Sequence, residues 1–497
     1  MISGRRGSFL LIAISSVNAL LTITLLICGY LEAWHVPHFE QRFAPTIAVA
    51  HGQQIYRIPP DGPLIVCLYG PLSYLAYLPA AYLPTVRSVF VTGSLMATAF
   101  LVVSFAFVGY LFVKQYRLPV RDWGPLLLFP LAAIASLRPL NYIASFVTAD
   151  SPSTCFMALS ILLLYRDRRR PTWKTAAYSS LALVLSLGCK QNMAFAALAV
   201  VGAAFYFFDR HFGWSYVACT AVFGILGIGM VIAIYRDVRA IYFNSVLAGL
   251  HMSIVKANLF PGTYRLFENI AVPALTLTFL GLILFLTKGS LSWLGESRFI
   301  LTFYTVAAVL SLSGIRFYAV VAGDVNDLSH AIYFLVLSIV VTAFELLLLM
   351  RDKPQSVTAL RVLIIAATLA LFGSGLPTRY NAEWKTRVRH TPSGIEAYRY
   401  DKQNPGYVYF PYNTIGVYFA EHKFYMTEWG VVNLEIADEQ FTRDEIVKYI
   451  PENARYIAMP RDYILDDPGA IAPFVAPHRF EVRIPELKDF VVYSIER

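Results

Sequence analysis

Charged residues are scarce in this chain: 15% of its 497 residues are Asp, Glu, Lys or Arg, while 57% are hydrophobic. Mean hydropathy is +0.55. That leaves too little charge to solvate the apolar surface of a water-soluble enzyme, and too much hydrophobicity for a disordered or collagenous chain. Cysteine is equally sparse. The five present are Cys28, Cys67, Cys155, Cys189 and Cys219. No two stand at the spacing of a metal motif and none falls in the second half of the chain, so a zinc module and a C-terminal disulfide framework are excluded. Buried apolar packing accounts for them. No internal repeat or low-complexity tract stands out. The sequence calls for no cofactor; a divalent metal is compatible with acids on an outer face, but no ligand set points to one. What remains is a polytopic α-helical membrane protein.

Eleven apolar segments carry that reading, at about 9–30, 88–113, 123–137, 153–165, 175–189, 192–208, 215–235, 270–287, 299–314, 330–350 and 359–376. Several fall short of the roughly 20 residues a spanning helix needs. A further segment, 68–83, is apolar but short, and it contains Pro71 and Pro79 with Pro84 just beyond; it is expected to lie in the interface. Arg5-Arg6 followed by an apolar run, with no small-residue cleavage site after Gly29, reads as a retained signal anchor.

The net charge of +9 could suggest a nucleic-acid partner, but its distribution argues against one. The first 376 residues hold 26 of the 41 Lys+Arg and 14 of the 32 Asp+Glu, whereas residues 377–497 are slightly acidic. A basic excess confined to loops between apolar spans reflects insertion orientation and contact with anionic membrane lipids. With 68–83 not spanning, loops on the N-terminal side carry 16 Lys/Arg and the opposite loops 10. Both Arg5-Arg6 and the dense run Arg166-Asp167-Arg168-Arg169-Arg170 then fall inside. The expected topology is an inner (plasma) membrane protein of eleven spans, N-terminus cytoplasmic, with long outer loops at 31–87 and 236–269. Residues 1–376 form the membrane domain. Residues 377–497 form an extracytoplasmic soluble α/β domain, with strands expected near 406–410, 455–459 and 480–484 and a helix opened by the capping box Thr442-Arg-Asp-Glu445. That domain carries no glycine-rich phosphate loop.

Acids in the membrane domain sort by side. Asp122, Asp167, Asp209, Glu296 and Asp352 fall in inner loops beside Arg or Lys, and Glu345 near the inner end of its span, where each reads as a solvated interface charge. Eight are expected outside: Glu32, Glu40, Asp61, Asp150, Asp237, Glu268, Asp324 and Asp327. An acid at the outer mouth of packed spans is costly to desolvate unless a cation or polar ligand offsets it. Asp150, in Thr148-Ala149-Asp150-Ser151-Pro152, suits a helix N-cap equally well. Lys190, in Gly188-Cys189-Lys190-Gln191-Asn192, is either a snorkelling interfacial lysine or a clamp for an anionic lipid headgroup. Glu40 sits on an amphipathic stretch ended by Gly52.

Their order along the chain resembles the GT-C superfamily, integral-membrane glycosyltransferases that use polyprenyl-phosphate-linked sugars, and within it bacterial enzymes akin to protein O-mannosyltransferases and lipid A aminoarabinose transferases. The order is an acid after the first span, an interfacial Tyr69-Gly70-Pro71-Leu72, an Asp-Ser-Pro in the next outer loop, and Lys190 after the fifth span. The likeness is fullest over residues 9–210. It implies that the family's first-loop acidic pair falls on Phe39-Glu40, its second-loop acid on Asp150 and its Thr-Lys-Gly on Cys189-Lys190-Gln191. Gly323-Asp324-Val325-Asn326 through His330 resembles a late outer-loop Gly-x-x-Asn element. The pair departs from the family pattern, with Phe39 in place of its first acid.

The resemblance implies transfer of a sugar from a polyprenyl-phosphate-linked donor to a hydroxyl on an acceptor lipid, glycan or protein. Such a reaction needs a carboxylate to take the acceptor proton and cations to steady the departing phosphate. Glu40 is the expected base, with Asp61 and Asp150 as alternatives, and Asp150 the expected second catalytic acid. Lys190 is the expected phosphate ligand. Tyr69, Arg57, Asp61, Arg138, Arg265, Asn326 and His330 complete the expected substrate-binding set. Two other classes remain open: a transporter or flippase, which would place acids or broken helices near mid-bilayer, and a non-catalytic envelope assembly protein.

Overall fold

The computed structural model describes residues 4–496 apart from 57–64, 66–67, 117–119, 248–251, 289–297, 321–322, 380–390, 437–441 and 462–469. Arg57 and Asp61 lie outside the described residues.

All eleven apolar segments are helical. In chain order the helices are α1 (Gly4–His35), α2 (Pro37–Ala50), α3 (Pro71–Leu75), α4 (Leu78–Ala81), α5 (Val86–Tyr116), α6 (Val120–Ser136), α7 (Arg138–Ser145), α8 (Asp150–Arg166), α9 (Trp173–Cys189), α10 (Ala194–Phe207), α11 (Arg210–Tyr235), α12 (Val238–Tyr242), α13 (Leu259–Lys288), α14 (Ile300–Tyr318), α15 (Ser329–Leu349) and α16 (Pro354–Arg379). Seven helices among the described residues are long and apolar enough to cross a bilayer alone; α6 and α7, bent by 83°, would make an eighth if they form one span. The bend falls at Arg138-Pro139, where proline cannot continue the hydrogen-bond ladder. α8, α9 and α10, of 14 to 17 residues, are shorter than a self-sufficient span. The interfacial segment is two short helices, α3 and α4, each with proline in its first turn, which is too little helix to cross.

Helix α15 forms the centre of the bundle, buried along almost its whole length, and α11 buries none of its most apolar stretch, as a helix facing lipid does. The apolar core runs between α5, α6, α8, α14 and α15 around Phe112, Tyr165, Phe303, Tyr333 and Phe344. At one end of the bundle Arg168 Nη2 donates to Glu345 Oε1 at 2.7 Å, and the Tyr165 hydroxyl donates to the same carboxylate. Glu345, expected as a solvated charge, is therefore a nearly buried ion-pair partner joining α8 to α15. The opposite end carries Asp150, Lys190 and Asn326.

Residues beyond α16 form a small α/β layer: α17 (Ser393–Gln403), β1 (Val408–Tyr409), α18 (Thr414–Glu421), β2 (Tyr456–Pro460) and β3 (Phe490–Ser494). The sheet order is β1-β2-β3, with β1 parallel and β3 antiparallel to β2. The first two expected strands are found. The third is displaced to Phe490–Ser494, and 480–484 runs alongside it through the single bridge Glu481–Tyr493. Burial explains the difference, because Phe490 and Val492 point into the core while Phe480 is 65% exposed. The Thr442 capping box forms as expected and opens a helix of five residues. Helix α18 points its N-terminus at α2, joining this layer to the first long loop.

Candidate active site

Three chain reversals meet at the end of the bundle that bears the C-terminal layer. Helix α8 starts at Asp150, α9 ends at Cys189, and the turn Val325–Leu328 leads into α15. Asp150 lies inside the first turn of α8 and makes no side-chain cap; its carboxylate instead faces the other two reversals. Lys190 Nζ donates to Asp150 Oδ1 at 2.6 Å, His330 Nε2 lies 3.0 Å from the same oxygen, and Asn326 Nδ2 donates to Oδ2 at 3.3 Å. The other His330 nitrogen, Nδ1, lies 2.7 Å from the Thr154 hydroxyl. Lys190 reaches inward because its own backbone is extended, with φ −145° and ψ 120°. Its ammonium also contacts Asp327 Oδ1 at 3.3 Å and stands 5.6 Å from the centre of the Tyr69 ring. A buried ammonium between two carboxylates needs such partners, since one charge left alone there costs about 3–5 kcal/mol.

Tyr69 is brought over Lys190 by a close approach of backbones. A Cβ on Gly70 would sit 2.1 Å from the Gly188 carbonyl oxygen, so glycine is needed there for α3 to lie against the end of α9. Beside Tyr69 opens a small cavity of about 20 Å³, lined by Arg42, Thr46, Ser73, Tyr77 and Thr148 among others. Arg42 stacks over Tyr142 at 5.4 Å. Among the described residues its Nη1 has no hydrogen-bond partner, nor do the hydroxyls of Thr46 and Thr148. Unpaired buried polar groups around a small polar cavity suit a water or one polar group of a ligand.

Glu40 is on the same helix as Arg42 but about 200° around it, facing the C-terminal layer. Asn413 Nδ2 donates to Oε1 at 2.8 Å, and the backbone N–H groups of Ile415 and Gly416 each donate to Oε2 at 3.1 Å. The carboxylate thus caps the N-terminus of α18 from another part of the chain, an arrangement the helix dipole favours. Burial pushes its carboxyl up to about 7, against the pull of Asn413 and the two N–H groups. Expected at the open mouth as a base, Glu40 is 2% exposed and has both oxygens occupied. Phe39 packs edge-on against Phe90 and Phe43 in the apolar layer beneath.

Of the residues expected from sequence, the structure brings Asp150, Lys190, Tyr69, Asn326 and His330 together. Arg265 lies elsewhere, on the exposed face of α13 and paired with Glu268 at 2.9 Å. Arg138 is exposed at the α6–α7 bend. Arg42, Asp327 and Thr154 were not anticipated. The Arg42–Thr46 spacing of four along one amphipathic helix was the available signal. Among the described residues no group of three or more His, Cys, Asp or Glu is arranged to hold a metal; the Lys190 ammonium occupies the space between Asp150 and Asp327.

No family model matches the sequence, and no curated protein matches it. Solved structures do. ArnT from Cupriavidus metallidurans bound to undecaprenyl phosphate aligns over 95% of this chain and 97% of that one, with a TM-score of 0.56 at 13% identity. The apo state of the same protein gives 0.52 at the same identity and coverage. The chain shares the fold of that protein. Within it the Lys190 cluster and the adjoining pocket lie at the bundle end that carries the C-terminal α/β layer.

Proposed function

We propose that this chain is a membrane glycosyltransferase that moves a sugar from a polyprenyl-phosphate-linked donor to an acceptor hydroxyl on the extracytoplasmic face. The observation that carries the reading is the pocket beside Lys190, where the Arg42 guanidinium and the Thr46 and Thr148 hydroxyls have unpaired groups. They suit the phosphate and sugar hydroxyls of such a donor, and the ArnT structure with undecaprenyl phosphate supports a lipid of that class. As the acceptor oxygen bonds to the sugar C1, the bond between C1 and its phosphate oxygen breaks, the electron pair passes to the phosphate, and the acceptor's proton leaves to water or to the departing phosphate. Charge grows where Lys190 and Arg42 stand, so both cations bind the transition state more tightly than the donor. Asp150, with His330 and Asn326, holds Lys190 in place. Glu40 anchors the C-terminal layer over the first outer loop and is not the acceptor's base; the layer shapes acceptor access without catalytic groups of its own.

The test is transfer of radiolabelled sugar from a polyprenyl-phosphate donor by the purified chain in liposomes. Label should pass to an envelope acceptor fraction and free polyprenyl phosphate should appear. Movement of intact donor between leaflets with no release of polyprenyl phosphate would instead make the protein a flippase.

A further inference from the structure

The geometry points to Asp327 as the residue that sets how tightly the lipid phosphate is held: its carboxylate occupies the phosphate's place on Lys190 and returns there to release the lipid-phosphate product. The inference rests on the glycosyl-transfer reading above.

Lys190 is shared unequally. Asp150 grips the ammonium at 2.6 Å, is wholly buried, and has further partners in His330 and Asn326 on both oxygens. It cannot leave without stranding three polar groups. Asp327 stands at a longer 3.3 Å, its side chain 15% exposed. Among the described residues its other oxygen accepts only the Asp324 backbone N–H, at 3.3 Å. It sits on a short turn, Val325–Leu328, at the mouth of the site. Of the two carboxylates, Asp327 is the one that can yield its position to an arriving anion. Water at the mouth receives it when it does.

The exchange has a chemical consequence for the reaction. The donor is a phosphodiester with one negative charge; the product is a phosphomonoester carrying about −1.5 to −2. Lys190 and Arg42 hold the product more strongly than the donor, which would trap the spent lipid. A carboxylate beside the phosphate repels the more highly charged species more, so Asp327 opposes the product selectively and refills the contact with Lys190 as the lipid leaves.

The experiment uses the full chain in nanodiscs of neutral lipid, with polyprenyl monophosphate and polyprenyl-phosphate sugar as separate probes. Asp327→Asn keeps the side-chain shape and the bond from Asp324 but removes the charge. It should bind the monophosphate about tenfold more tightly, bind the donor more tightly by a smaller factor, and show stronger inhibition by product in turnover. Asp327→Glu should keep wild-type affinities, and Asp150→Asn should weaken both. Damage to the fold weakens binding, so tightening cannot come from a structural role. If the wild type binds both probes and Asp327→Asn binds the monophosphate no more tightly than the wild type does, the inference is overturned alone. If the wild type binds neither probe, the glycosyl-transfer reading falls and the inference with it.

Discussion

Glu40 and Asn413 are 373 residues apart in the chain, and the amide of Asn413 donates to the Glu40 carboxylate at 2.8 Å. The first long loop and the C-terminal layer are thereby one mechanical unit. Gln41 on the same helix accepts from the Trp429 backbone at 2.8 Å, and His38 lies against the Trp429 ring. One turn of α2 thus docks the layer with its polar edge, while its opposite face turns Arg42 and Thr46 to the pocket.

The tightest point of that contact is Gly394. A Cβ there would sit 1.9 Å from Glu40 Oε1, with buried backbone on the other side where α18 packs. Gly394→Ala should lift α17 and α18 from α2 at a cost of about 1–3 kcal/mol. Limited proteolysis of the membrane-embedded protein should release the C-terminal layer faster than in wild type, and an unchanged cleavage rate would show that the contact relaxes at no cost.

Docking should also depend on pH. The Glu40 carboxyl is raised by burial to about 7, so the docked state binds its proton more strongly than the undocked one. Its contribution is complete below about 4.5 and is lost as pH rises through about 7. Proteolytic release of the layer should accelerate across that window in wild type. Glu40→Gln removes this dependence. Its amide oxygen can still accept from the Ile415 and Gly416 N–H groups, with its NH₂ turned to the Asn413 amide, whose Oδ1 is unpaired among the described residues, so release at low pH should stay near the wild-type rate. Sugar transfer by Glu40→Gln should stay within a few-fold of wild type if Glu40 is an anchor. A loss of 10²–10⁴-fold, on the scale of a removed base, with the layer still docked would return Glu40 to the role of base.

Arg42 supplies the second test of the pocket. Arg42→Ala removes the guanidinium whose Nη1 has no hydrogen-bond partner among the described residues, and should raise the donor KM and lower kcat together, since the phosphate charge grows in the transition state. Arg42→Lys keeps the charge but loses the planar fork and should recover only part of the rate. Donor kinetics that ignore both variants would remove Arg42 from the site.

Most of the fold could be read from hydropathy, because the eleven apolar runs each became a helix. The site was readable where its residues lay at helix ends that the chain order arranges alike, as with Asp150 and Lys190. It was unreadable where a contact joined distant elements. Nothing local distinguishes Asp327 from its neighbour Asp324, and only the packing of the Val325–Leu328 turn against α7 and α14 sets Asp327 beside Lys190. The docking of Glu40 was unreadable for a related reason. A carboxylate on an amphipathic helix has two possible faces to serve, and the sequence of α2 does not say that α18 will cover one of them. The third strand shows the same limit: 480–484 alternates and 490–494 is a short apolar run, and only burial of Phe490 and Val492 selects the latter.

Orientation follows from the charge bias and is open to direct measurement. Arg169, in the basic run after α8, and Lys402, near the end of α17, are both exposed. Cysteine placed at 402 in a variant without the native cysteines should react with an impermeant maleimide added to intact cells, and cysteine at 169 only after permeabilisation. The reverse pattern would invert the topology and move the Lys190 site to the cytoplasmic face.

The last expectation separates what Lys190 does for the fold from what it does for the donor. Lys190→Met alone leaves Asp150 buried with its charge unmatched and should lower stability by about 3–5 kcal/mol, visible as a lower thermal midpoint in detergent. Asp150→Asn alone should be milder, because Asp327 still contacts the ammonium at 3.3 Å and Asn can keep the bond to Asn326. In the double variant both charges of the Lys190–Asp150 pair are gone and only Asp327, with its side chain 15% exposed, is left without its cation, so a neutral Met–Asn pair should recover much of the lost stability. Donor binding and transfer should stay as low as in Lys190→Met, because the phosphate then meets no ammonium. A double variant that is stable but inactive assigns Lys190 to the donor. If stability and transfer recovered together, the ion pair would be scaffolding alone and the phosphate would be held by Arg42 without it.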